Sequence, residues 1–152
     1  MLPFVVLAAA LITVPGMPTC RLADAHTEDL VAAKAVELKG TEYCQFRVYD
    51  TLDDIDGDGH DDFVVLFTVE GIDGGGNDHQ DFMLVLLSSA PDRPTLLKTG
   101  ERGVRDPVSI EVRQRRIILG TRVYRPRDAM CCPSGRGTSP GAPHAKHRRE
   151  DH

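Results

Sequence analysis

The chain is poor in aromatic groups. Its 152 residues hold no tryptophan, three tyrosines and five phenylalanines. Only Tyr124 stands among the arginines of the C-terminal half, so the stacking platform of a single-stranded nucleic-acid binder is missing. Long apolar runs are also absent. The one at residues 2–14, broken only by Thr13, falls short of the ~20 residues that span a bilayer. The glycine-rich stretch at residues 71–80 lacks the Gly-Lys-Ser/Thr ending of a phosphate loop and reads as a hairpin connection. Ser88, Ser89 and Ser109 lie outside any nucleophile-elbow pattern. A cysteine–histidine nucleophile would need a free Cys132 beside His79, and nothing in the spacing brings them together. The expectation is a protein that is not an enzyme.

Charge is present in quantity but divided. The formal total is −5. Residues 24–92 carry a net −14, residues 93–152 a net +8, and Arg21 the remaining +1. The split excludes a uniformly basic chain, and no nucleic-acid partner is expected. It demands a local explanation on each side. On the basic side stand Arg113, Arg115, Arg116, Arg122, Arg125 and Arg127. The bland reading sets them against the acids of the first half. The functional one is a patch for a polyanion or an envelope component.

Residues 2–14 have the length of a secretory signal core, and Ala23-Asp24-Ala25 offers a cleavage site. Residues 1–25 are therefore read as a leader, with the mature chain starting at His26 in the periplasm or outside the cell and with no membrane span. Cys44, Cys131 and Cys132 then remain. In an oxidising compartment the expected link joins Cys44 to Cys131 or Cys132, with a vicinal Cys131–Cys132 ring or a metal site as alternatives.

The rest reads as an α+β domain over residues 26–133, a helix packed on a mostly antiparallel sheet of about five strands. Apolar spacing predicts the helix over residues 27–38, with Thr27 as N-cap and Gly40 as the stop. Strands are expected at residues 43–49, 63–69, 82–87, 108–112 and 116–124, with a short edge piece at Leu96-Leu97 and a turn at Arg113-Gln114-Arg115. The run at 63–69 suits a strand buried on both faces. Residues 134–152, rich in Gly, Pro, Ser, Arg and His, read as a disordered tail, and a monomer is expected.

One stretch carries chemistry: Asp54-Ile55-Asp56-Gly57-Asp58-Gly59-His60-Asp61-Asp62. Aspartates stand at positions one, three, five and nine, and glycine at six. Calcium takes six to eight oxygens, and a tight loop lets alternate side chains converge on one ion. The candidate ligands are Asp54, Asp56, Asp58, Asp62 and the backbone carbonyl of His60. Position twelve is Val65, where an EF-hand has a bidentate Glu, and a strand rather than a helix follows. The loop resembles the calcium loops of FG-GAP and VCBS repeats, where such a segment leads into an apolar strand. Those repeats build propellers, and one copy here excludes a propeller. Asp73, Asn77, Asp78 and Asp81 are further oxygen donors nearby.

A broader resemblance rests on Tyr43-Cys44-Gln45, Asp56-Gly57-Asp58-Gly59, Val69-Glu70-Gly71 with Gly74-Gly75-Gly76-Asn77, and Asp128-Ala129-Met130-Cys131-Cys132-Pro133-Ser134. On these pieces residues 27–135 are similar to a family of small, uncharacterised exported bacterial proteins. The resemblance implies an exported α+β domain and no particular activity. The chain departs from that pattern after Ser134, where the family continues into a final apolar strand. Together these readings point to an exported domain with a structural calcium loop. The alternatives are an envelope or polyanion module and a metal-dependent hydrolase.

Overall fold

The computed structural model describes residue 20 and residues 25–140. Among them, one α-helix packs against an eight-stranded sheet in which every pairing is antiparallel. The fold is α+β, as expected, with more strands than the periodicity reveals. No helix of the described residues is long and apolar enough to cross a membrane.

Helix α1 spans Ala25–Glu37 and buries Thr27, Val31 and Ala35, four residues apart and therefore on one face. Thr27 is thus not the N-cap. It belongs to the packed stripe and is fully buried. The helix ends at Glu37, one residue before the predicted end and three before Gly40. Lys39 takes the left-handed conformation (φ 51°), its N–H reaching the Val36 carbonyl, while Gly40 N–H reaches Ala35. Gly40 is needed for another reason: a Cβ there would sit 2.6 Å from the Glu70 carbonyl oxygen.

The chain then forms β1 (Thr41–Glu42), a 3-10 turn (Cys44–Phe46) and β2 (Val48–Asp53). The single strand expected over residues 43–49 is broken by that turn. The break coincides with a disulfide between Cys44 and Cys20. Strand β3 (Asp62–Glu70) follows, paired on one side with β2 and then β1, and on the other with β4 (His79–Leu86). Its apolar run serves two cores. Val65, Phe67 and Val69 join Phe82 and Leu84 against α1. Val64 and Leu66 join Met83 and Val85 on the opposite face. The Phe67 and Phe82 rings stack with centroids 5.5 Å apart.

What covers the second face comes from the end of the chain. Strand β5 (Thr95–Glu101) is longer than the short piece expected at Leu96-Leu97, where its only partner among the described residues is β4. It pairs with β4 and meets β6 (Arg105–Arg113) only at Glu101 and Arg105. At that corner the sheet turns, and β7 (Arg116–Val123) lays Ile117 and Leu119 over Val64, Leu66 and Met83. The order of layers is helix, β3–β4, then β6–β7. At about 1.5–3 kcal/mol per fully buried aliphatic or aromatic side chain, these two cores supply most of the driving force.

The disordered tail expected over residues 134–152 is corrected for residues 135–140. Gly135–Pro140 form β8, paired with β7 along its whole length. No aliphatic pattern marks β8 because backbone pairing holds it. Gly135 is buried, and a Cβ there would lie 2.7 Å from the Val123 carbonyl oxygen. Residues 141–152, the rest of the expected tail, lie outside the described residues, as do residues 1–19 and 21–24 of the expected leader.

The disulfides are Cys20–Cys44 and the vicinal Cys131–Cys132, so the expected link from Cys44 to the C-terminal pair is corrected. The physical reason is that residue 20 lies across the 3-10 turn, its carbonyl accepting a hydrogen bond from Arg47 at 3.2 Å. The Arg47 side chain is nearly fully buried, 2% exposed, and grips two carboxylates. Its Nη1 and Nη2 donate to Glu28 at 2.9 and 3.2 Å, and its Nε and Nη2 donate to Glu42. Burial raises the Glu42 carboxyl above its ordinary value although the Arg47 guanidinium pulls it down.

Candidate metal centres

The loop between β2 and β3 brings Asp54, Asp56 and Asp58 together. One oxygen from each lies within 4.8 Å of the others. Such crowding is unfavourable for like charges, and backbone donors compensate it. Asp54 accepts from Gly57 N–H and, at 3.1 Å, from Gly59 N–H. Asp56 accepts from Asp58 N–H at 3.1 Å, and Asp58 from His60 N–H at 2.7 Å. Gly57 and Gly59 stand at φ 86° and 89°, left-handed conformations that other residues rarely adopt. They curl the loop as the sequence spacing requires. Lost hydration works to raise the Asp54 carboxyl, but the Gly59 and Gly57 donors and the charge of Arg115 outweigh it and hold it below the usual range.

The other two predicted ligands behave differently. His60 is exposed at the rim, and its imidazole is not among the clustered groups. Its backbone carbonyl was the group the spacing offered. Asp62 points inward. It is 4% exposed, and its two oxygens accept the N–H groups of Ile55 (2.8 Å), Asp56 (3.3 Å) and Ser88 (2.8 Å). Asp62 thus braces the loop and is not among the three carboxylates grouped within 4.8 Å. The connection after β4 also supplies hydroxyls the sequence did not flag: Ser88 Oγ donates to Asp58 at 3.2 Å, and Ser89 Oγ to Asp56.

A second cluster lies elsewhere. His79, Asp81 and Asp106 each offer a ligand atom within 4.8 Å of the others. They open onto a cavity of about 460 Å³ whose wall includes Tyr43, Arg102, Arg122, Tyr124 and Cys131. His79 and Asp81 alternate on β4, so both project from one face. Asp81 stands opposite Thr68 of β3, whose hydroxyl donates to Asp81 Oδ1 at 2.6 Å. Asp106 comes from β6 and meets His79 Nε2 at 3.2 Å. Burial pushes the Asp81 carboxyl up to about 6, against the Thr68 bond. The Asp106 bond raises His79 above the ordinary imidazole value, against desolvation.

The sequence signal for this cluster was small but present: a Thr inside the run at 63–69, and polar residues two apart just before the run at 82–87. Of the further donors weighed, Asn77 and Asp81 line the cavity. Asp73 pairs with Lys39 at 3.3 Å and Asp78 with Arg102 at 3.8 Å. Cys131 does share a wall with His79, but it is disulfide-bonded, and no free cysteine exists among the described residues. The thiol nucleophile is therefore excluded there.

The arginine cluster divides. Arg113 pairs with Glu111 of its own hairpin, and Arg115 lies over Gly57 beside Asp54. Arg116, Arg122, Arg125 and Arg127 join no ion pair among the described residues. Facing the acids of the first half thus describes Arg115 and not the group. Compared with protein-family models, with curated proteins and with solved structures, the chain matches none.

Proposed function

We propose that this chain is a small exported domain whose β2–β3 loop holds calcium in a structural role. The observation that carries the reading is the convergence of Asp54, Asp56 and Asp58 within 4.8 Å on a loop curled by their own backbone bonds. Three carboxylates and the His60 carbonyl supply hard oxygens of the kind calcium takes, and water completes the shell. The ion would fix β2 against β3 and add stability by binding only the folded chain. The test is calcium titration by calorimetry with thermal melts. Calcium should raise the melting temperature and EDTA reverse it; no heat and no shift would end the proposal.

Export is supported by the leader-like residues 2–14, by two disulfides and by the family resemblance. With Cys20 bonded to Cys44, processing belongs before Cys20. A cut after Ala25 would remove a half-cystine and expose the first turn of α1. The intact mass of the exported protein decides the point. A second reading, polyanion binding through Arg116, Arg122, Arg125 and Arg127, draws on their lack of ion pairs among the described residues. Binding to a sulfated polysaccharide that weakens steeply with salt would mark it.

A further inference from the structure

The cavity cluster goes beyond the calcium loop. Asp81 is 4% exposed, yet its Oδ2 has neither a hydrogen-bond partner nor exposure to water. A buried carboxylate oxygen left so is costly, and native folds rarely tolerate it without a ligand. The other oxygen of Asp81 is satisfied by Thr68, which fixes the orientation of the carboxyl. Within 4.8 Å of this group stand ligand atoms of His79 and Asp106. The three residues come from two strands, β4 and β6, that the corner at Glu101–Arg105 brings together. They are therefore held by the sheet and not by a loop.

We propose that His79, Asp81 and Asp106 form a binding site for a divalent transition metal, with zinc as its representative. One imidazole nitrogen and two carboxylate oxygens are a donor set that zinc accepts and that calcium, which takes oxygen alone, does not favour. A cation there satisfies the orphaned oxygen and neutralises two acids packed side by side. Three protein ligands leave a coordination position open, in the manner of zinc sites that bind a further ligand. Here that position faces the cavity, whose wall carries Arg102 and Arg122, so an anion is the class of molecule that would fill it.

The test is zinc calorimetry on the oxidised protein, with calcium saturating and with His144, His147 and His152 each replaced by Gln to silence the tail. One equivalent of zinc should bind. Asp81→Asn, which preserves shape, and His79→Gln should each weaken binding at least tenfold while circular dichroism melts show a folded chain. Cobalt(II) in place of zinc should give d–d absorption that both substitutions abolish. Asp56→Asn with Asp58→Asn should leave zinc uptake unchanged, which separates this site from the calcium loop. No zinc uptake in the tail-substituted protein, or uptake indifferent to both Asp81→Asn and His79→Gln, overturns the proposal.

Discussion

Asp62 Oδ1 accepts the Ser88 N–H at 2.8 Å, which ties the end of the acidic loop to the chain leaving β4. With the two bonds to Ile55 and Asp56, one buried carboxylate serves three backbone donors. Asp62→Ala should therefore cost about 2–3 kcal/mol by leaving those N–H groups unpaired. Urea unfolding should show the loss equally with calcium and with EDTA.

Asp56 and Asp58 should give the opposite pattern. Asp56→Asn with Asp58→Asn removes charge from exposed or half-exposed positions and should change stability little in EDTA. What it should remove is the calcium-dependent increment, about 2.7 kcal/mol for the unaltered chain at a free calcium a hundred times the dissociation constant. Paired melts with calcium and with EDTA check it.

Arg47 holds two carboxylates on the helix-facing side of the fold. Arg47→Ala removes a buried guanidinium that grips both Glu28 and Glu42 and should cost roughly 3–5 kcal/mol. Glu28→Gln, at the more exposed end of the triad, should cost under about 1 kcal/mol. Chemical denaturation of the two variants under oxidising conditions compares them.

The β6–β7 turn places Gln114 and Arg115 at φ 49° and 61°, where a two-residue hairpin favours Asn-Gly. Gln114→Gly should relieve the left-handed strain and raise stability by about 0.5–1 kcal/mol. Arg115 is left in place because it covers Gly57. A higher melting temperature is the expected result.

Asp128 organises the segment that carries the vicinal disulfide. The Ser134 and Arg125 N–H groups, each at 2.8 Å, hold its carboxyl below the ordinary value of 3.8. A carboxyl depressed in the folded state contributes stability above its unfolded value and loses it as pH falls through its folded value. Residues 125–134 should therefore loosen below about pH 4. Limited proteolysis with an acid-active protease should cut there first. Asp128→Asn should make the segment as susceptible at pH 5 as the unaltered chain is in acid.

Much of this fold was legible. The helix, the doubly buried strand at residues 63–69 and the turn before Arg116 follow from apolar period and turn chemistry. The acidic loop follows from spacing. What escaped has physical reasons. Strand β8 has no apolar side chains to display and is held by its backbone. Thr27 reads as a cap by residue type, yet its four-residue offset from Val31 makes it core. Spacing alone does not tell the outward carboxylates of Asp56 and Asp58 from the inward one of Asp62. The His79, Asp81 and Asp106 cluster needs Asp106 from a strand more than twenty residues away, and that proximity exists only once the sheet has turned its corner.

Strand β3 is hydrogen-bonded along both edges and covered on both faces, whereas among the described residues β8 has one neighbour and is largely exposed. Amide hydrogen exchange should separate the two. The amides of residues 64–69 should wait for global unfolding, and those of residues 136–139 should exchange through fraying that leaves the rest of the molecule intact. The sheet is continuous in its pairing but not in its cooperativity. Its last strand can open and reclose while the centre keeps the fold.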